Sequence, residues 1–259
     1  MKLLESLITW FLSFRIWVRP VDYLWHRYHV ARLSGVTNRN HQTVFKTIDQ
    51  RRLDISSDFP RRDAKALETV VQRILKDGVV IAEIGSWKGM STAILAKAVS
   101  DFHGRVFAID HWQGSDGVPE HQQAKGTDML SVFRHNMRAL GVADFVHPLV
   151  MTSELAAGIF EDNSLDFVFI DADHRYSYIS QDIKLWLPKV KPRGIISGHD
   201  CEGRYTTFGD FRKVVDTHLE EDVIVGICHA GVVKALYDVF GDNYNTEPDS
   251  SIWWYRKEQ

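Results

Sequence analysis

The sequence predicts an α/β fold in which a mostly parallel sheet carries helices on both faces, and three observations lead there. A β-branched apolar run, Val79-Val80-Ile81-Ala82, passes through Glu83-Ile84 into the glycine-punctuated turn Gly85-Ser86-Trp87-Lys88-Gly89 and then a helical stretch through Val99. Strand-like runs alternate with helical patterns from residue 79 to 228, the order that specifies parallel strands with crossover helices. The residues just after five of those strands are acids, histidines or hydroxyls, at the carboxyl edge where open α/β sheets hold ligands.

The elements follow in order. Pro60 stands near the start of a helix that shows Ala64, Leu67, Val70, Val71 and Ile74 on one face and runs to about Lys76, where Asp77-Gly78 breaks it. Strand 79–84 and helix 91–100 come next, then strand 105–109 after Gly104, helix 127–139 and strand 145–150. Strand 166–170, helix 176–187, strand 194–198, helix 208–219, strand 222–228 and a terminal strand 251–256 complete the series. No internal repeat or low-complexity tract interrupts it.

Charge separates the front of the chain from its body. Residues 1–52 hold nine Lys/Arg against three acids, near +6, which leaves about −9 for the rest of a chain whose formal net charge is −3. An acidic body argues against nucleic acid as the main partner. Two cysteines, Cys201 and Cys228, are too few for a disulfide framework and fit a reducing cytoplasm. The apolar stretch Ser6 to Phe14 is far shorter than the roughly 20 residues needed to span a bilayer, and no small-residue cleavage site follows it. Trp10, Trp17 and Trp25 are interleaved with basic residues. Residues 1–30 therefore read either as an in-plane helix at the inner face of the membrane or as a helix packed on its own domain or on a second copy. The chain divides into a basic, aromatic helical extension, 1–55, and a folded domain, 56–259.

The strand ends carry the chemistry. Asp110, 25 residues after Gly85, can accept both hydroxyls of a ribose, with His111 and Trp112 as a flat surface beside an adenine. The competing role for such an Asp is a turn cap. Asp171, Asp173, His174, His199 and Asp200 form a second constellation. Carboxylates from neighbouring strand ends can hold one divalent ion as a Lewis acid, and a histidine can take a substrate proton as general base. The alternative has Asp173 and His174 capping the following helix and His199 packing as a neutral side chain. Cys201 has no partners that would make it a nucleophile.

At these residues the chain resembles the class I S-adenosylmethionine-dependent methyltransferases, and within them the methyltransferase family 24 group with its macrocin- and mycinamicin-type sugar O-methyltransferases and cephalosporin-hydroxylase-like proteins. The matching segments are 82–92, 104–112, 169–176 and 185–200, with the closing Ile252-Trp253-Trp254-Tyr255, and they span residue 60 to the end. The resemblance implies a seven-stranded Rossmann-like sheet with a final antiparallel strand. It implies that Glu83, Gly85, Ser86 and Gly89 shape the cofactor turn and that Ser91 and Thr92 lie near the methionine carboxylate. Asp110 holds the ribose in that arrangement, and His111, Trp112 and Ser153 surround the adenine, with Asp171 at the cofactor's edge. Metal-dependent relatives bind Mg²⁺ through an acid after the fourth strand and an acidic pair after the fifth, positions that here hold Asp171 and His199-Asp200. A histidine where an acid is common leaves His199 as either ligand or base. The implied catalytic set is His174, His199 and Asp171.

The expected activity is methyl transfer to a hydroxyl of a sugar, glycan or glycolipid. Phenolic and natural-product acceptors form the second reading, and a catalytically inactive binding module at a membrane surface the third. A nicotinamide dehydrogenase would need G-x-G-x-x-G after the first strand, and the chain has G-x-x-x-G. The long polar segment 113–127, with Arg204 and Tyr205, is placed to select the acceptor.

Overall fold

The computed structural model describes Ile55, residues 59–114 and residues 119–258. Both readings of residues 1–30 concern the chain outside the described residues, as does all of the extension 1–55 except Ile55. Helix α1 (Arg61–Val71) begins after Pro60 as the sequence predicts and leads to β1 (Val80–Ile84) and α2 (Met90–Val99). Strand β2 (Arg105–Asp110), α3 (Met129–Ala139), β3 (Val146–Val150), a short α4 (Ser153–Ala157) and β4 (Leu165–Ile170) follow. Then come α5 (Tyr176–Trp186), β5 (Val190–Gly198), α6 (Arg212–Thr217) and a two-stranded hairpin of β6 (Ile224–Val225) and β7 (Cys228–His229). Helix α7 (Ala230–Phe240), β8 (Asn245–Thr246) and β9 (Trp253–Arg256) close the fold.

The sheet has seven strands in the order β3-β2-β1-β4-β5-β9-β8. Strands β1 to β5 pair in parallel, and β9 runs antiparallel to both β5 and β8. Strand order reverses between β1 and β4, which creates the crevice where such sheets take ligands. The central strands are buried on both faces: β4 is enclosed along its whole length and β1 from Ile81 onward. That burial accounts for their near-continuous apolar runs. Among the described residues no helix is long and apolar enough to cross a membrane.

One expectation needs correction and one helix was not expected. The run 222–228 is no sheet strand; Gly226, at φ +67°, turns it into the β6–β7 hairpin, in which Ile224 pairs with His229 and Val225 with Cys228. Helix α7 was hidden by Gly231 and the β-branched pair Val232-Val233, which lower helix propensity. Its apolar face decides the matter, with Ala230, Val232, Val233, Ala235 and Leu236 all buried. Gly231 is required at this contact, because a Cβ there would lie 2.3 Å from the His174 carbonyl oxygen.

Candidate active site

The turn after β1 is built around a buried carboxylate. Glu83 is fully enclosed; Ser86 Oγ donates to its Oε2 at 2.8 Å, and Thr92 donates to the same oxygen. Glu83 Oε1 has no hydrogen-bond partner. Burial raises its pKa to about 7, against the hydrogen bonds from Ser91, Thr92 and Ser86 that favour the charged form. The hydroxyls of Ser91 and Thr92 serve Glu83, while both residues stand in the first turn of α2. What remains for an anion there is the start of α2, where Gly89 at the N-cap (φ +91°) brings no side chain to cap the first turn. Free first-turn amides and the helix dipole favour a carboxylate at such an end.

Gly85 (φ +88°) lies so close to β4 that a Cβ would stand 2.0 Å from the Asp171 carbonyl oxygen. Nearby, both oxygens of Asp110 accept backbone hydrogen bonds, from Trp87 N at 2.8 Å and from Trp112 N at 2.6 Å. Each carboxylate oxygen keeps a second lone pair, so this clamp does not exclude a ribose. Trp112, expected beside an adenine, is 5% exposed, packs on Phe133 with ring centroids 5.0 Å apart, and donates from Nε1 to the Trp87 carbonyl at 2.7 Å. His111 is exposed and accepts from Gln113 N at 3.0 Å. Ser153 is spent on α5: its hydroxyl donates to Asp182 and accepts from Trp186 Nε1 at 2.8 Å. Non-glycine residues with positive φ stand just past three strands at this edge: Trp87 (41°), Trp112 (54°) and Asp200 (64°). Strain of this kind concentrates at working sites.

Beyond β4 and β5 lies a chain of alternating acids and imidazoles. His199 Nε2 is 3.2 Å from Asp63 Oδ2 and its Nδ1 is 2.9 Å from Asp200 Oδ1. Asp200 Oδ2 is in turn 2.8 Å from His174 Nε2, and His174 Nδ1 faces Asp222 Oδ2 at 3.6 Å. Asp222 Oδ1 is 3.0 Å from His229 Nδ1. Asp63 also accepts from Ser251 N at 2.9 Å, and Phe59 stacks on the His199 ring at 4.7 Å. Burial opposes charge on His199, but Asp200 and Asp171 outweigh it and hold its pKa well above the ordinary value. The same contest at His174, with Asp200 and Asp222 as the winning carboxylates, ends the same way. Burial likewise opposes a charged Asp200, yet His199 and His174 hold its pKa well below the carboxylate range.

This arrangement bears on the expected ligand set Asp171, His199 and Asp200. His199 has both nitrogens facing carboxylates, Nε2 towards Asp63 and Nδ1 towards Asp200, and in this arrangement it positions Asp200. Asp173 is held by Arg175, whose Nε donates to Oδ1 at 2.9 Å. One group whose ligand atoms converge is Asp171, His174 and Asp200, all within 4.8 Å of one another, which keeps Asp171 and Asp200 of the expected set and adds His174. Burial pushes the Asp171 carboxyl up to about 6, against the pull of the His199 charge. Tyr205, expected at the acceptor, is buried and donates to Asp216 at 2.6 Å, and Arg204 lies 3.9 Å over the Tyr244 ring. Cys201 is inert, its thiol pushed up to about 12 by burial. In the segment 113–127, a 3₁₀ turn over Pro119–Lys125 brings the His121 ring 4.2 Å from Trp87.

Residues 82–201 match the family described as "Methyltransferase domain". Over that segment the chain is similar to a methyltransferase domain, and the β3-β2-β1-β4-β5-β9-β8 order with its antiparallel β9 is the Rossmann-like methyltransferase fold. An O-methyltransferase from Bacillus cereus in complex with SAH superposes with a TM-score of 0.53, covering 89% of this chain and 97% of that one at 18% identity. A Corynebacterium glutamicum protein does so at 0.54, with 92% and 97% covered and 14% identity. At these identities the likeness is one of fold. Among curated proteins, the uncharacterized protein y4gI of Sinorhizobium fredii is 33% identical over 132 residues, 50% of this chain and 14% of that one. This chain thus spans about a seventh of that relative's length. The methyltransferase domain match ends at Cys201, so Asp222 and His229 lie beyond it and Asp63 before it. Asp63 had a signal in the sequence: it sits four residues before Leu67 and seven before Val70, an acid on the apolar stripe of its helix.

Proposed function

We propose that the protein transfers a methyl group from S-adenosylmethionine to a hydroxyl of a sugar, glycan or glycolipid acceptor. The observation that carries this reading is the meeting, at adjacent strand ends, of the Gly85 turn and the Asp171–His174–Asp200 group. The residues fit the cofactor: a turn with the left-handed glycines Gly85 and Gly89, of which Gly85 lets the β1 end pack closely on β4, an uncapped helix start for a carboxylate, Asp110 for a ribose, and an unsatisfied buried oxygen on Glu83. The sulfonium brings an already activated methyl group, so the protein must align acceptor oxygen, methyl and sulfur and remove one proton. Asp171, against the cofactor turn and 20% exposed at its side chain, can accept the acceptor's O–H and take its proton as the methyl arrives. Where a hard divalent cation such as Mg²⁺ takes part, Asp171 and Asp200 are the carboxylates that would hold it, and it would lower the hydroxyl's pKa.

The sugar acceptor rests on the family 24 resemblance and on the polar segment 113–127; a phenolic acceptor is the second reading. Calorimetric titration with S-adenosylmethionine, S-adenosylhomocysteine and NAD tests the cofactor. Micromolar binding of the sulfonium pair is expected. Asp110→Ala removes two hydrogen-bond acceptors from the loops after β1 and β2, so it should weaken that binding at least tenfold, about 1.4 kcal/mol or more. Preference for NAD, or undiminished affinity in Asp110→Ala, would overturn the assignment. The acceptor follows from radiolabelled methyl transfer to a panel of sugars, lipid-linked glycans and catechols, with transfer to catechols alone refuting the sugar half.

A further inference from the structure

We propose that His174, Asp222 and His229 form a second site, for a divalent transition metal of the zinc or cobalt kind, beside the carboxylate pair Asp171 and Asp200. The three residues come from separate pieces of chain: the loop after β4, the residue two before β6, and the last residue of β7. The hairpin register places Ile224 opposite His229, and the Ala230 amide donates to the Val223 carbonyl at 2.8 Å. That closure sets Asp222 and His229 side by side. The close approach at Gly231 then seats the start of α7 on the His174 backbone, and the two imidazoles stand 4.2 Å apart.

The donor atoms already have the spacing of ligands. They lie within 4.8 Å of one another, with Asp222 3.0 Å from His229 Nδ1 and 3.6 Å from His174 Nδ1. A metal about 2.0–2.2 Å from each nitrogen and oxygen needs its donors at about these separations. Two imidazoles and one carboxylate are the ligands that zinc-like ions select, whereas Mg²⁺ takes oxygen. His174 is oriented for the task from behind. Asp200 meets its Nε2 at 2.8 Å, which fixes that proton and leaves Nδ1 to the metal, the carboxylate–histidine–metal arrangement that strengthens ligand basicity. Glu202 accepts from the His229 amide at 3.3 Å and steadies the second ligand. The Asp222 side chain is 40% exposed and that of His229 23%, so a bound ion keeps positions open to water or an acceptor oxygen. With His174 occupied in this way, the hard-cation carboxylates Asp171 and Asp200 remain available on its other side.

The test uses the full chain stripped with a chelator and then titrated with Zn²⁺ against a chromophoric competitor, and with Co²⁺ by visible absorption. One equivalent of Zn²⁺ should bind at micromolar concentration or below, and Co²⁺ should give the intense visible bands of a low-coordinate imidazole site. His229→Gln and Asp222→Asn should each weaken Zn²⁺ binding by about 100-fold, while Asp171→Asn changes it by less than about threefold. Circular dichroism and S-adenosylhomocysteine titration of each variant show that the fold is intact. Equal Zn²⁺ affinity in His229→Gln, a loss confined to Asp171→Asn, or no binding below about 0.1 mM would overturn the site. Because nothing in this readout depends on methyl transfer, its failure and a failure of the methyltransferase reading are separate results.

Discussion

Gly85→Ala is expected to destabilise the domain by about 4 kcal/mol and to abolish cofactor binding. Two effects add. At φ +88° an L-residue incurs roughly 1–2 kcal/mol of backbone strain. The new methyl would also meet backbone, at 2.0 Å from the Asp171 oxygen, 2.6 Å from its carbonyl carbon and 2.9 Å from Ala172 Cα. No rotamer relieves a clash with backbone, so β1 and β4 must separate at the sheet's centre, and overpacking there costs about 1–3 kcal/mol. Gly78→Ala is the control, since Gly78 has φ +69° and nothing within 4 Å of the Cβ position. It should lose only the conformational part, about 1 kcal/mol. Urea denaturation of both variants separates the contributions. Equal losses would show that the Gly85–Asp171 approach does not hold in solution.

Much of the fold was legible because the sheet's centre is buried on both sides. Strands β1 and β4 must be apolar at nearly every position, so they stand out in the sequence, and the glycine turn and strand-end acids locate the ligand edge. What was hidden depends on contacts between distant parts of the chain. Asp222-Val223-Ile224-Val225 has the composition of a sheet strand, and only the turn at Gly226 and the docking of α7 make it a hairpin. Asp63 and Ser251 are 188 residues apart and meet at His199, so their part in the ion-pair chain around His199 depends on the fold, unlike that of the neighbouring Asp200. The sequence leaves His199 as either ligand or base, and only the fold shows that acids from α1 and the loop after β5 face its two nitrogens. Trp112 shows the same limit: an aromatic residue at a strand end suits a nucleobase, but whether its ring lies open is decided by Phe133 on α3.

Glu83→Gln should reverse its effect on stability with pH, and the sign follows from linkage. Burial raises the Glu83 pKa from 4.5 to about 7, so folding takes up a proton between those values. The stability tied to this group is fully present below pH 4.5 and is lost as pH rises through 7. At about 1.4 kcal/mol for each pKa unit, the ligand-free wild type should carry a penalty of about 3 kcal/mol at pH 8 that it does not carry at pH 4. Glutamine remains neutral throughout. Its oxygen can keep the hydrogen bonds from Ser86 and Thr92, while its amide puts a donor where Oε1 has no partner, a defect worth about 1–3 kcal/mol. Near pH 4.5 the variant should therefore be the less stable protein, and at pH 8 the more stable or equal one. Urea melts of ligand-free protein at the two pH values give the difference of differences directly. A gap between wild type and variant that stays constant within about 0.5 kcal/mol would mean that Glu83 is ionised throughout. The carboxylate would then have a cationic or donor partner in solution, and the unsatisfied oxygen at the cofactor turn would not exist.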